Sequence, residues 1–140
     1  MASLSIALRN DPHELGRLAE LVERFGADHH LGHDTMTNVN LVLDEIVCNV
    51  IKYGRANQAG GGIDVSLALE GGLLTIDVAD DGIAFNPLDK DPPDLDLPIS
   101  ERPVGGLGIH IVRALTETIK YRRENDRNHL TMTMWVQDRD

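Results

Sequence analysis

The chain is 140 residues long, with 41% hydrophobic residues, 26% charged residues and a formal net charge of −10 at pH 7. These values predict one soluble domain over residues 1–140 that buries a single core. The negative charge argues against nonspecific binding to nucleic acids and to anionic membranes, because both require a basic surface.

The first part of the chain predicts one strand followed by two helices. Apolar residues alternate from Ser3 to Leu8, which is typical of a strand. Asn10-Asp11-Pro12 supplies a helix start, and the apolar residues that follow recur at helical spacing until Gly26, where we expect the helix to end. A second helix with an apolar stripe is predicted from Asp34 or Thr35 to about Gly54.

The rest of the chain predicts strands, a long irregular segment and one further helix. Glu70-Gly71-Gly72 forms a hairpin turn between two alternating segments. The irregular segment is acidic and rich in proline, which in a compact domain is typical of a functional lid or of a disordered insertion. The predicted elements are strands at 63–69 and 73–79, the irregular segment at 80–104 with the lid at about 83–104, a helix at 108–115, and strands at 118–123 and 129–136 joined by a turn at 125–128.

Together these elements predict an α+β fold. About five strands would form a mixed or antiparallel sheet with the helices on one face, as a two-layer α/β sandwich. The single cysteine, Cys48, lies in the second helix beside apolar residues and is interpreted as a buried, unreactive thiol.

Targeting signals and metal-binding patterns are weak in this sequence. The start of the chain lacks the apolar core of a signal peptide and no apolar run reaches membrane-spanning length, so we expect a cytoplasmic protein. His29, His30 and His33 are interpreted as a solvated link between the first two helices. A metal site at His29 and His33 is less favoured, because no cysteine or obvious carboxylate accompanies them.

The first of three polar clusters lies on the second predicted helix. Glu45 and Asn49 are four residues apart, so their side chains meet on one face, and Lys52 lies three residues further on. A solvated helix face with an intrahelical contact is the simplest interpretation, although asparagine is a poor residue for a helix interior. Alternatively, the amide oxygen suits Mg²⁺, and the carboxylate could orient or deprotonate a hydroxyl for attack on a phosphate.

The second cluster, Asp80-Asp81-Gly82, directly follows an apolar strand. An Asp-Gly pair in this position is most simply a turn. The functional alternative is that Asp80 accepts a hydrogen bond from an adenine amino group while Gly82 allows the ring to approach. Phe85 would then pack near the base or beneath the lid.

The third cluster, Gly105-Gly106-Leu107-Gly108, directly precedes a helix. A flexible link is the simple interpretation, but glycines this dense more often mark a close approach of the backbone to another group. The N–H groups and dipole of a helix N-terminus favour phosphate. The cluster is not a P-loop, since no Gly-Lys-Ser/Thr follows, and it does not match the dinucleotide fingerprint, since no strand leads into it.

In this order, the three clusters resemble the motifs of the bacterial anti-sigma-factor serine/threonine protein kinases, a branch of the GHKL (Bergerat-type) ATPase superfamily. The resemblance covers essentially the whole chain. The segments that carry it are Leu43-Asp44-Glu45-Ile46-Val47-Cys48-Asn49-Val50-Ile51-Lys52-Tyr53-Gly54, similar to the N box, Asp80-Asp81-Gly82-Ile83-Ala84-Phe85-Asn86-Pro87, similar to the first glycine box, and Val104-Gly105-Gly106-Leu107-Gly108-Ile109-His110-Ile111-Val112, similar to the second.

The resemblance implies a site for ATP and Mg²⁺. Glu45 would be the catalytic base, Asn49 the Mg²⁺ ligand and Asp80 the adenine contact. The other nucleotide-binding residues that the resemblance implies are Lys52, Gly82, Gly105, Gly106, Leu107, Gly108 and Thr131. The family fold, an α/β sandwich with a nucleotide lid, agrees with the predicted layout.

Two features depart from the wider superfamily. Ala84 stands where histidine kinases usually carry a second glycine in the first glycine box, which narrows the resemblance to the anti-sigma branch. The lid is proline-rich and acidic between Asp91 and Pro98, and it offers few groups to grip a triphosphate.

The resemblance implies an enzyme that transfers the γ-phosphate of ATP to a serine or threonine of a STAS-type antagonist protein. When free, the enzyme would sequester a sigma factor, as a homodimer with no direct contact to nucleic acid or membrane. The alternative is an ATP-gated switch protein that binds its partner and transfers phosphate slowly or never. A detached histidine-kinase catalytic domain is less favoured, because the chain has no room for a helix pair carrying a phospho-acceptor histidine.

Overall fold

A computed structural model describes residues 2–53, 62–89 and 106–136. The elements are β1 (Ala2–Arg9), α1 (Glu14–Asp28), α2 (His33–Tyr53), β2 (Gly62–Glu70), β3 (Leu73–Asp80), a 3₁₀ turn (Pro87–Asp89), α3 (Gly106–Leu115), β4 (Thr118–Glu124) and β5 (Arg127–Trp135). Within these ranges the strands form one five-stranded sheet in the order β1-β2-β3-β5-β4. Every neighbouring pair is antiparallel. The α+β fold predicted from the sequence is confirmed, and its sheet is antiparallel rather than mixed.

The helices cover one face of the sheet. Leu74, Ile76 and Val78 of β3 are buried on that face, whereas Thr75 and Asp77 point to the other face and are half-buried. This is the period-two pattern of a strand with one face toward the core. Helix residues that join the strands in one core cluster are Leu18, Val22 and Phe25 of α1, Val39, Val42, Leu43, Ile46 and Val47 of α2, and Ile109 and Val112 of α3.

Helix α1 continues past Gly26, where the sequence predicted its end, to Asp28. Gly26 is buried, and a methyl group in place of its hydrogen would overlap the side chain of Met36 in α2. This glycine is therefore explained by the close packing of α1 on α2 rather than by a helix stop.

Both described hairpins turn on two residues with positive φ. Gly71 and Gly72, with φ of 60° and 81°, join β2 to β3 as the sequence predicts. Asn125 and Asp126, with φ of 54° and 59°, join β4 to β5. The longer turn predicted at 125–128 is wrong, because β5 already begins at Arg127. Asn128 consequently lies in the strand, opposite Asp80 of β3.

Candidate functional site

The first polar cluster lies where α2 meets α3. Glu45 is half-buried on α2, and Asn49, one turn further along, is buried with 8% of its surface exposed. A methyl group on Gly108 of α3 would overlap the Glu45 carboxylate. Ile109 and Val112 hold α3 in the shared core at this point. Only glycine at position 108 lets the carboxylate approach the helix backbone this closely.

Helix α3 begins at Gly106, inside the glycine cluster and two residues before its predicted start. The N–H groups in the first turn of a helix have no acceptor within the helix, and the helix dipole makes this end positive. The Glu45 carboxylate lies against this turn, at Gly108. The structure thus brings the first and third clusters together. The predicted site residue Gly105 lies outside the described residues.

Asp80 is the last residue of β3, and only 5% of its surface is exposed. Its Oδ1 accepts hydrogen bonds from the backbone N–H of Gly82 at 2.9 Å and from Nδ2 of Asn128 at 3.0 Å. Burial raises the pKa of the Asp80 carboxyl above its ordinary value, and these hydrogen bonds offset only part of that increase. The Asp80 carboxylate is therefore held in place at the end of β3 by two hydrogen bonds.

Asn128 belongs to this site, although sequence reasoning placed it in a turn. It pairs with Asp80 across β3 and β5 because the preceding turn has only two residues. The dipeptide Asn125-Asp126 carries a signal for this, since both residue types tolerate positive φ and favour two-residue hairpins. A two-residue turn would have predicted Asn128 as a strand residue.

A small cavity connects the first and second clusters. Its volume is about 20 Å³, and its polar lining comes from Asn49, Asp80, Tyr121 and Asn128. The apolar residues that line it are Ile46, Val50, Val78, Phe85, Pro87 and Leu130. A purine needs far more room than this. A base could therefore enter only if some of the residues that line the cavity moved apart.

Among the described residues, two larger cavities lie away from these clusters. One, of about 420 Å³, is a groove between α1 and α2 that Leu15 and Leu41 help to line. The other, of about 530 Å³, lies on the open face of the sheet near Asp64 and His129. None of the predicted site residues that the structure describes lines either of these larger cavities. The small cavity is lined by two of them, Asn49 and Asp80, and is therefore the candidate site.

Several hydrogen bonds tie the start of the predicted lid to the body of the protein. Nδ2 of Asn128 donates to the backbone oxygen of Ile83 at 2.7 Å. The backbone N–H of Phe85 donates to Oδ1 of Asn128 at 3.2 Å. Arg113 of α3 donates through Nη2 to the backbone oxygen of Leu88 at 3.0 Å. The remainder of the predicted lid, residues 90–104, lies outside the described residues.

The remaining predicted site residues occupy different places. Lys52 is exposed on α2, one turn beyond Asn49, and Arg123 of β4 donates to the backbone oxygen of Gly82 at 2.9 Å. Both Lys52 and Arg123 therefore lie on elements that also carry residues lining the small cavity, α2 and β4. Thr131 points to the open face of the sheet, where its Oγ1 donates to Oδ1 of Asp77 at 2.5 Å. The structure does not bring Thr131 to Asp80.

The amide of Asn49 is the candidate Mg²⁺ ligand that the sequence predicts at this site. Among residues 2–53, 62–89 and 106–136, no group of three or more histidine, cysteine, aspartate or glutamate side chains could hold a metal ion. Mg²⁺ in phosphoryl-transfer sites usually takes one or two protein ligands and completes its shell with phosphates and water. The buried amide of Asn49 fits that pattern. None of the helices described is long and apolar enough to cross a membrane.

Comparison with known sequences points to one family. The profile described as "Histidine kinase-like ATPase domain" matches residues 8–134. The chain is 25% identical over 95 residues to the serine/threonine-protein kinase BtrW of Bordetella bronchiseptica, covering 68% of this chain and 67% of that protein. It is 25% identical over 124 residues to the serine-protein kinase RsbW of Bacillus mycoides, covering 86% of this chain and 74% of that protein.

Solved structures share the fold. The crystal structure of the RsbU and RsbW domains of Rv1364c from Mycobacterium tuberculosis superimposes with a TM-score of 0.71 at 17% identity, over 99% of this chain. This chain spans about a third (33%) of that longer polypeptide. The histidine kinase domain of a blue-light activated kinase from Erythrobacter litoralis superimposes with a TM-score of 0.55 at 17% identity, over 89% of this chain and 60% of that one.

Proposed function

The chain belongs to the histidine kinase-like ATPase domain family, and from this premise we propose that it is an ATP-dependent serine/threonine protein kinase of the anti-sigma-factor type. Membership of the family implies ATP binding. The relatives BtrW and RsbW are named as serine/threonine- and serine-protein kinases. The chemistry of the site supports extending that activity to this chain.

One observation carries the proposal. Glu45 lies against the first turn of α3, while Asn49, one turn further along the same helix, lines one cavity with Asp80. In this proposal four groups adjoin one another. Asp80 recognises the adenine, Asn49 holds Mg²⁺, the N-terminus of α3 binds the phosphates, and Glu45 is the general base. Phosphoryl transfer needs these groups, because its catalysis is mostly positioning and charge stabilisation.

In this proposal the nucleotide spans the site from β3 to α3. Asp80 accepts a hydrogen bond from the exocyclic amino group of adenine, and Gly82 leaves room for the ring. The N–H groups of the first turn of α3 hold the phosphates, as helix N-termini commonly do. Lys52, exposed at the end of α2, adds a positive charge for the phosphates.

Glu45 acts as the general base in this proposal. Its carboxylate adjoins the phosphate-binding turn, so it can take the proton of an acceptor hydroxyl as that oxygen attacks the γ-phosphorus. Asn49 would hold Mg²⁺ through its amide oxygen, and the ion would neutralise charge on the phosphates. The β–γ bond of ATP breaks as the new phosphoester bond forms, and ADP leaves.

The substrate in this proposal is a serine or threonine of a STAS-type antagonist protein. Phosphorylation adds about −1.5 to −2 charges at neutral pH, which would repel an acidic kinase and release the antagonist. The freed kinase, as a cytoplasmic homodimer, would then bind and sequester a sigma factor. The formal net charge of −10 supports release by charge repulsion.

A single-turnover phosphorylation assay tests the proposal. The purified chain is mixed with γ-labelled ATP, Mg²⁺ and each STAS-type protein of the same organism, and transfer to serine or threonine is followed over time. We expect one antagonist to be labelled. ATP binding without transfer to any antagonist would favour the ATP-gated switch, and the absence of ATP binding would contradict both functions.

A further inference from the structure

The amide of Asn128 is the most highly connected polar group in the described site. It is 5% exposed. Nδ2 donates to Oδ1 of Asp80 at 3.0 Å and to the backbone oxygen of Ile83 at 2.7 Å. Oδ1 accepts from the backbone N–H of Phe85 at 3.2 Å and from the hydroxyl of Tyr121 at 2.5 Å. These contacts use both donor hydrogens and both acceptor lone pairs of the amide, so its orientation is fixed.

The hydrogen bond from Asn128 to Asp80 also fixes the orientation of the Asp80 carboxylate. The hydrogen bonds from Gly82 and Asn128 both end on Oδ1 of the carboxylate. Among the described residues, Oδ2 is thereby left as the oxygen that can accept a hydrogen bond from a ligand. An oriented carboxylate of this kind accepts from an exocyclic amino group and repels a carbonyl oxygen.

We propose that Asn128 is a positioning residue that orients Asp80 to select nucleotides by the 6-amino group of their purine. The inference rests on the proposed function, and it adds a determinant of base specificity. Through Ile83 and Phe85 the same amide also holds the segment that carries the apolar wall of the cavity. One side chain therefore aligns the base-reading carboxylate with the wall against which the base would lie.

Replacing Asn128 by aspartate tests the proposal with little change in shape. Asn128→Asp keeps an acceptor for Phe85 and Tyr121 but removes both donors. It also places a second carboxylate beside Asp80, where like charges oppose each other. Asp80 would then lose its fixed orientation, while the phosphate-binding end of α3 would be untouched.

The experiment is a binding cycle with two nucleotides. Titration calorimetry with Mg²⁺ measures the affinity of ADP and of purine riboside 5′-diphosphate, which lacks the 6-amino group, for the wild-type and Asn128→Asp chains. We expect the wild type to prefer ADP by about tenfold or more, the effect of one hydrogen bond to a charged group. In Asn128→Asp the ratio should fall close to one.

A purely structural role gives a different result. Both affinities would then fall by the same factor and their ratio would be kept, which would overturn the proposal. A wild-type chain that binds both nucleotides equally would overturn it as well. A wild-type chain that binds neither would instead contradict the proposed function, so the two failures are distinguishable.

Two further variants keep the test independent of the folding of Asn128→Asp. Tyr121→Phe removes the hydroxyl that donates to Asn128 Oδ1, and we expect the ADP preference to fall by roughly threefold to fivefold; an unchanged ratio overturns the proposal. Thr133→Val is the matched control. It removes a β4–β5 side-chain hydrogen bond, to Thr118 at 2.6 Å on the open face, and should leave the ratio as in the wild type.

Discussion

The carboxylate of Glu45 lies at the contact between α2 and α3, and this position determines its chemistry. On an isolated helix, a glutamate four residues before an asparagine would most simply be a solvated side chain. Here it packs against Gly108, next to the positive end of α3. This contact places the carboxylate beside the backbone N–H groups of the first turn of α3, where the proposal puts the phosphates.

Glu45→Gln should separate nucleotide binding from phosphoryl transfer. Glutamine has the same shape and fits against Gly108, but it cannot accept a proton from a hydroxyl. We expect the affinity for ADP to be retained and single-turnover transfer to fall by about 10²–10⁴-fold, the usual contribution of a general base. Asp44→Asn, which removes an exposed carboxylate one residue earlier, is the control and should keep full transfer. Full transfer in Glu45→Gln would assign the base to another group.

At neutral pH, the buried and ionised carboxylate of Asp80 should lower the stability of the fold. Its pKa is raised by burial, so the folded state binds this proton more tightly than the unfolded state does. The resulting stability is present below the ordinary pKa of aspartate, about 4, and is lost as the pH rises through the folded-state pKa. The ionised carboxylate is therefore a net cost at pH 7.

Asp80→Asn should consequently melt at a higher temperature than the wild type at pH 7, because the amide still accepts from Gly82 and Asn128 without a buried charge. The difference should shrink as the pH falls below about 4. The same variant should bind ADP more weakly by roughly 1–3 kcal/mol. Thermal melts of Asp77→Asn, on the other face of β3, control for the loss of one negative charge. A destabilised Asp80→Asn at pH 7 would show that the hydrogen bonds to the carboxylate outweigh its burial.

At the scale of elements, the sequence predicts what depends on local pattern. Alternation along β3 identifies its buried face, and the double glycine at Gly71-Gly72 locates the hairpin turn. The contact between Glu45 and Gly108 was not predictable, because it joins residues far apart in the chain through the packing of two helices. The position of Asn128 was predicted wrongly because the turn between β4 and β5 was taken to be too long. An error in the length of a turn shifts the register of the strand that follows, and so changes which side chains share a face.

The two glycines of α1 offer a matched test of helix packing. Gly16 is exposed, and a methyl group added there would meet no neighbour within 4 Å, whereas the same group on Gly26 would overlap Met36. Gly16→Ala should raise the free energy of unfolding by up to about 1 kcal/mol through helix propensity. Gly26→Ala gains the same propensity but overpacks the core, at a cost of about 1–3 kcal/mol, so we expect net destabilisation. Urea denaturation measures both. Equal stabilisation by the two substitutions would show that Met36 repacks without cost.

At the scale of the whole molecule, the charge of the protein opposes the charge of its ligand. The formal net charge is −10, and a nucleoside diphosphate is itself an anion. Within the described part of the chain, Lys52 and Arg123 lie near the site, on α2 and β4, as local cations. Long-range repulsion by the body and short-range attraction at the site therefore act in opposite directions on binding.

The dependence of the association rate on salt concentration distinguishes the long-range repulsion from the short-range attraction. The Debye length shortens from about 30 Å at 0.01 M salt to about 10 Å at 0.1 M, so added salt screens the distant acidic surface more than the groups in contact with the phosphates. We expect the association rate of a fluorescently labelled ADP, followed by stopped flow, to rise over this range, because repulsion by the whole molecule slows the approach. Adenosine with the same label carries no phosphate, and its association rate should stay constant. A rate for labelled ADP that falls with salt would show that Lys52, Arg123 and the helix end already outweigh the net charge at a distance.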